Sequence, residues 1–214
     1  MKALITGANR GIGAELLFQM TKRGDDALGT SRSASATLLP LDVTDPASQA
    51  ALAARIGSAP LDLLVCNAGV YLDKGHTIED GYEADLWDQT FAANVKGVFL
   101  TIQSLLPNLR AAKGKIAIIS SQMASDTNAP GGSYIYRASK AAALNLGRNL
   151  AVDLRGDGIS VGVYHPGWVR TEMGGSNAQI DASEAAAGLI ARFDALSLAT
   201  SGCFETWDGR AHPF

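Results

Sequence analysis

Tyr136 and Lys140 lie four residues apart in Ser133-Tyr134-Ile135-Tyr136-Arg137-Ala138-Ser139-Lys140, at the start of an Ala- and Leu-rich run to Arg155. On a helix this spacing puts both side chains on one face. A neighbouring ammonium stabilises a phenolate and is expected to lower the phenol pKa. Such a pair suits proton exchange with a carbonyl oxygen or the corresponding alcohol. The spacing is also common on solvated helix faces, so its meaning rests on what the rest of the chain builds around it.

A second cluster opens the chain. The short apolar run Lys2–Thr6 leads into Gly7-Ala8-Asn9-Arg10-Gly11-Ile12-Gly13, followed by an amphipathic helix with Ile12, Leu16, Leu17 and Met20 on one stripe. Strand, glycine-rich turn and helix bring bare N–H groups and a helix N-terminus to a phosphate. Glycines remove the Cβ atoms that would block a pyrophosphate.

The next strand, Ala27–Thr30, ends at Ser31-Arg32 where dinucleotide folds often place an acid for the adenosine ribose. Arg32, with Arg10 from the glycine turn, suits a 2′-phosphate instead, which favours NADP(H) over NAD. A third strand is expected over Thr37–Asp45. Only Ser33–Ala36 separate it from Arg32, too few for a full crossover helix, so an irregular loop and a thinly covered flank are expected. Asp45-Pro46 should cap and open a helix to Ile56.

Leu61–Val65 reads as a central buried strand ending in the small turn Cys66-Asn67-Ala68-Gly69. From Val70 to Gly81 the chain reads as a polar, exposed loop. Glu83–Leu109 reads as a long helix in which Asn94 marks a kink toward the cleft. Lys115–Ser121 forms a fifth strand ending in two serines, and Ile159–Tyr164 a sixth, leading to His165-Pro166-Gly167-Trp168-Val169-Arg170-Thr171. A helix over Ala182–Phe193 and a strand over Gly202–Trp207 complete the pattern. The alternation specifies an α/β fold: one Rossmann-type, doubly wound parallel sheet of about seven strands, with the helix between strands two and three largely missing. Residues 1–214 read as a single domain.

Composition narrows the partners. A net charge of −3 offers no basic surface for nucleic acid or anionic membrane. No apolar run reaches the roughly 18 residues of a membrane span, and Met1-Lys2 leads straight into a strand without a signal peptide. Cys66 and Cys203 read as reduced thiols of a cytoplasmic protein. His76, His165 and His212 form no cluster with metal-ligand spacing, so no metal is expected.

Together the motifs resemble the short-chain dehydrogenase/reductase family along the whole chain. TGANRGIG is similar to its TGxxxGxG turn, CNAG to NNAG, Asn94 in NVKG to its helix asparagine, YRASK to YxxxK, and PGWVRT to the segment bordering the nicotinamide. ISSQMAS, GGSYIYRASKAA and HPGWVRTEMGG resemble most the C-factor-like and small carbonyl-reductase branch. The resemblance implies Tyr136 as general acid, and Lys140 lowering its pKa and binding the nicotinamide ribose. It implies Ser121 polarising the substrate oxygen, with Ser120 and Ser125 as alternatives, and Asn94 ordering a water that links Lys140 to solvent.

The implied NADP(H) contacts are Gly7, Asn9, Arg10, Gly11, Ile12, Gly13, Ser31, Arg32, Asp42, Val43, Asn67, Ala68, Gly69, Tyr136, Lys140, Pro166, Gly167, Val169 and Thr171. Tyr71, Met123, Trp168 and Met173 are candidates for the substrate pocket or for core packing. The segment Thr171–Ala182 is short for a lid, implying an open site. Reduction of an aldehyde or ketone is the leading expectation; NAD-dependent oxidation of a secondary alcohol and non-catalytic NADP sensing are the alternatives. Relatives pair through the helices carrying Asn94 and Tyr136, implying a homodimer or homotetramer.

Overall fold

The computed structural model describes residues 1–33 and 35–214. Seven parallel strands form one sheet in the order β3-β2-β1-β4-β5-β6-β7. They are β1 (Lys2–Ile5), β2 (Asp26–Ser31), β3 (Leu38–Pro40), β4 (Leu63–Cys66), β5 (Lys115–Ile119), β6 (Ser160–His165) and β7 (Phe204–Thr206). The helices are α1 (Gly11–Arg23), α2 (Pro46–Ile56), α3 (Ala84–Phe91), α4 (Gly97–Ala112), α5 (Tyr134–Asp153) and α6 (Ala182–Ala195).

Strands that are apolar throughout feed two cores by alternation. Leu4, Leu64, Ile116 and Ile118 meet α2, α4 and α5 through Leu52, Ile102, Leu105 and Leu144. Ala3, Ile5, Leu63, Val65 and Ala117 meet α1 and α6 through Leu16, Met20, Leu189 and Phe193. A period-two alternation within continuously hydrophobic segments is what a sheet covered on both faces requires.

The strand order reverses direction between β1 and β4, which pair directly. The glycine turn after β1 and the Asn67 turn after β4 therefore sit side by side at the carboxyl end of the sheet, where open α/β folds bind ligands. The Asp45 carboxylate accepts from Ala47 N at 3.0 Å and Ser48 N at 3.1 Å, capping α2 as its residue type dictates.

Three segments differ from expectation. The third strand spans Leu38–Pro40 only, because Asp42 turns the chain by accepting from Thr44 N and Thr44 Oγ1 at 2.9 and 2.7 Å. The helix expected over Glu83–Leu109 is α3, a π-helical turn over Ala92–Lys96, and α4, with Asn94 inside the π turn. Such insertions often accompany functional sites. Of the irregular loop expected at Ser33–Ala36, residue 34 lies outside the described residues; Ser33, Ser35 and Ala36 carry no helix.

Candidate active site

The nucleotide cradle is built from two turns stitched together. Thr6 Oγ1 accepts from the main-chain N–H of both Asn67 and Ala68 at 3.0 Å, and Asn67 Nδ2 donates to Thr6 O at 2.9 Å and Gly7 O at 3.1 Å. A Cβ at Gly13 would lie 2.3 Å from Gly7 O, and one at Gly7 would lie 2.9 Å from Ala68 Cα. Gly7 and Gly11 also have φ of 66° and 55°, where L side chains are strained. Arg10 at the N-cap of α1 makes no side-chain cap bond, so the first-turn N–H groups are left to face an anion. The cradle fits a dinucleotide pyrophosphate.

Around it stand the other expected contacts. Thr171 covers the turn, its Cγ2 at 3.3 Å from where a Gly11 Cβ would be. Val169 is buried and bridges Ile180; Gly167, after Pro166, has φ 89° and leaves no room for a Cβ against Ile180 and Trp207. Val43 packs on Gly97, where a Cβ would meet Val43 Cγ2 at 2.8 Å. Ser31 is buried and bonds the carbonyl of Ser33. Arg32 is exposed beside Asp42, whose carboxyl is held below its usual range by Thr44 and, to a lesser extent, by the Arg32 charge. Arg10 pairs with Glu172, across from the glycine turn that carries it.

Tyr136 and Lys140 share a face of α5 and are both buried, with Lys140 Nζ 5.6 Å from the Tyr136 ring centre. The Lys140 ammonium donates to Ile119 O at 3.0 Å at the end of β5, and burial lowers its pKa to about 8. Of the three serines, Ser121 interacts with the Tyr136 phenol; Ser120 donates to Lys140 O at 3.0 Å and Ser125 to Phe214 O at 3.1 Å. The phenol pKa runs opposite to expectation. Burial raises it above the ordinary tyrosine value, Ser121 opposes the rise, and the Tyr71 and Asp73 charges add to it. Desolvation is the largest influence on the phenol, while the Lys140 ammonium spends its hydrogen bond on Ile119 O.

Asn94 and Gly69 join this group to the cradle. A Cβ at Gly69 would stand 3.0 Å from Asn94 Oδ1 and 3.4 Å from Lys140 Nζ. Asn94 Nδ2 donates to Val70 O at 2.9 Å and Ser139 Oγ at 3.0 Å.

The loop after Gly69 is exposed at Lys74, Gly75 and residues 77–81, as its polarity suggested, but residues 70–73 are not. Tyr71 stacks on Tyr136 with ring centres 4.2 Å apart, its hydroxyl bonds Ser133 Oγ, and Asp73 is fully buried. Neither Asp73 nor Thr6 was singled out by sequence; their partners lie some sixty residues away. Met123 is half-buried in the turn after Ser121 and donates its N–H to Ser121 Oγ at 3.1 Å. Trp168 and Met173 are exposed, Trp168 Nε1 donating to Gly174 O at 2.9 Å. Lys74 Nζ donates to Met173 O at 3.1 Å, so the short 168–181 segment is tied to the Tyr71 loop on one side and, through Glu172, to the glycine turn on the other.

The family described as short chain dehydrogenase matches residues 1–181. The chain belongs to this family. It is 36% identical over 222 residues to 1-hydroxy-2-glutathionyl-2-methyl-3-butene dehydrogenase of Rhodococcus sp. (strain AD45), with 96% of each chain covered. It is 36% identical over 166 residues to the C-signal protein of Myxococcus xanthus, covering 77% of this chain and 99% of that one. Among solved structures, the NADPH-bound carbonyl reductase from chicken fatty liver superposes with a TM-score of 0.89 at 29% identity, over 100% of this chain and 98% of the other. The C-factor-like and carbonyl-reductase resemblance read from the motifs is thus met by both kinds of relative, and the chain is an oxidoreductase of the short-chain family.

Proposed function

We propose that this short-chain dehydrogenase family protein is an NADPH-dependent reductase that converts an aldehyde or ketone to the alcohol. The observation carrying this reading is that Tyr136 meets Ser121 and shares its helix face with Lys140, which stands with Asn94 beside Gly69.

The pyrophosphate lies on the Gly7–Gly13 turn, with Asn9 and Ile12 on its adenosine side. Asp42 and Val43 flank the adenine, Ser31, Arg32 and Arg10 hold the 2′-phosphate, and Asn67, Ala68 and Gly69 border the further ribose. Pro166, Gly167, Val169 and Thr171 border the nicotinamide. When bound, NADPH supplies the hydride.

Ser121 donates a hydrogen bond to the carbonyl oxygen and polarises it. Tyr136 transfers its phenolic proton to that oxygen as charge develops there. A phenol raised by burial keeps its proton at neutral pH, the form that reduction of a carbonyl requires. Lys140 binds the nicotinamide ribose, stabilises the phenolate left behind and leads a proton back through a water ordered near Asn94. Tyr71, against Tyr136, forms one wall of the carbonyl pocket, with Met123, Trp168 and Met173 as further walls. A homodimer or homotetramer through α3–α4 and α5 belongs to the same reading, supported by exposed Trp87, Phe99 and Val152 on those helices. So does a cytoplasmic setting, supported by the free thiols Cys66 and Cys203. Among the described residues no helix is long and apolar enough to cross a membrane.

The test is consumption of NADPH at 340 nm across aldehydes and ketones of graded size, with NADH in parallel. Turnover with NADPH is expected; binding of NADPH with no turnover of any carbonyl compound would sink the reductase reading, and tighter binding of NADH would sink the assignment of Arg10 and Arg32.

A further inference from the structure

The N-terminus of α5 lacks a cap from its own sequence. Ser133 stands at the N-cap with φ 50°, one of two non-glycine residues at positive φ among the described residues, and its side chain makes no cap bond. The cap comes from 62 residues upstream. The Asp73 carboxylate is fully buried and accepts from Ile135 N at 2.9 Å and from Tyr136 N at 3.2 Å.

Two further contacts converge on this helix end. Tyr71 bonds Ser133 through its hydroxyl and stacks on Tyr136, while Val70 is held at both main-chain groups by Asn94. Asn94 also reaches Ser139 on the next turn of α5. The loop Val70–Asp73 is therefore a splint between the π turn and the first turn of α5.

A buried carboxylate is tolerated only where donors satisfy it, and the N–H groups of a first helical turn, with the positive end of the helix, do so. Here one of those N–H groups belongs to the residue that carries the reactive phenol.

We infer that Asp73 is a positioning residue: by capping α5 at Ile135 and Tyr136 it fixes where the Tyr136 hydroxyl stands relative to Ser121 and the nicotinamide. The inference rests on the reductase reading for its kinetic consequence, and on geometry alone for its structural one. Misplacement of a reacting group by about 1 Å costs on the order of a hundredfold in rate. Asn caps helices about as well as Asp, so Asp73→Asn keeps the cap while removing the charge. The charged and titratable groups facing the phenol are Lys140 on its own helix and Tyr71 and Asp73 from the splint, with neutral Ser121 from the β5 end. Removing the Asp73 charge lowers the phenol pKa, so the descending basic limb of the reduction profile moves to lower pH.

The test compares wild type, Asp73→Ala and Asp73→Asn by amide hydrogen exchange over residues 133–140, by NADPH affinity, and by the pH profile of kcat. In Asp73→Ala, exchange of the first α5 turn is expected to rise and kcat to fall about tenfold or more, with NADPH affinity held within about threefold. Asp73→Asn is expected to restore the protection and most of kcat, with the basic limb displaced to lower pH. Unchanged protection in Asp73→Ala, or protection lost equally in Asp73→Asn, overturns the inference. The exchange arm decides it even if no carbonyl substrate is turned over, so its failure is separable from failure of the reductase reading.

Discussion

Asn94 pairs with both main-chain groups of Val70: its Oδ1 accepts from Val70 N at 2.8 Å while its Nδ2 donates to Val70 O at 2.9 Å. This side chain completes for Val70 the bonds a neighbouring strand would otherwise make, at the point where the chain leaves the sheet for the active-site loop. Its second amide hydrogen goes to Ser139 at 3.0 Å, so three segments meet on one amide. Asn94→Ala leaves those buried groups unpaired, at about 1–3 kcal/mol for each one. The expected result is a Tm lower by several degrees together with a kcat that falls further than NADPH affinity does. Calorimetry and steady-state kinetics on the same preparation check it; a variant with wild-type Tm and kcat would contradict the role.

Gly13 tests the cradle. A methyl group there would meet Gly7 O at 2.3 Å and Asn67 Nδ2 at 2.4 Å, so the two stitched turns must separate. Gly13→Ala is expected to weaken NADPH binding by about tenfold or more and to destabilise the fold by roughly 1–3 kcal/mol through overpacking. Fluorescence titration measures the first and denaturant unfolding the second.

The Arg10–Glu172 pair gives a handle on cofactor choice. Both side chains are largely exposed, so the pair itself adds little to stability, but it occupies the guanidinium that would meet a 2′-phosphate. Glu172→Gln should tighten NADPH binding by a few-fold and leave NADH unaffected, with the gain shrinking at high salt. Arg32→Ala should weaken NADPH alone, by about tenfold. Equal effects on both cofactors would show that neither arginine reads the phosphate.

His165 predicts an acid-side loss of stability. It is buried beside His212, accepts from Gly167 N at Nδ1, and burial depresses its pKa to about 4 from 6.5. The neutral ring is the folded form, so the unfolded chain binds the extra proton between those values. Its contribution is full above about pH 6.5 and is lost as pH falls toward 4, on the order of 3 kcal/mol in all. Urea unfolding from pH 4 to 8 should show this slope in wild type and a shallower one in His165→Asn.

What was legible in the sequence is what lies close along the chain. The glycine turn, the Asp45 cap and the Tyr136–Lys140 spacing each fit within a dozen residues, and a doubly wound parallel sheet followed from the alternation of apolar runs and helices. Asp73, Thr6 and the Arg10–Glu172 pair were not legible, because each finds its partner only when the sheet brings distant turns together. The net direction of the phenol pKa was not legible for a related reason. Spacing put an ammonium nearby, but burial and the direction of Lys140 toward Ile119 O are properties of the packed core. The loop from Val70 read as exposed by composition, yet an acid can be buried where a helix end supplies its donors.

The most direct test of the account is kcat for carbonyl reduction by wild type and Tyr136→Phe, with NADPH affinity measured on both. Phe keeps the ring that stacks on Tyr71 and removes only the hydroxyl. The predicted result is a loss of about a hundredfold or more in kcat with NADPH affinity unchanged within about threefold. Equal kcat values in the two proteins would contradict the assignment of Tyr136 as proton donor.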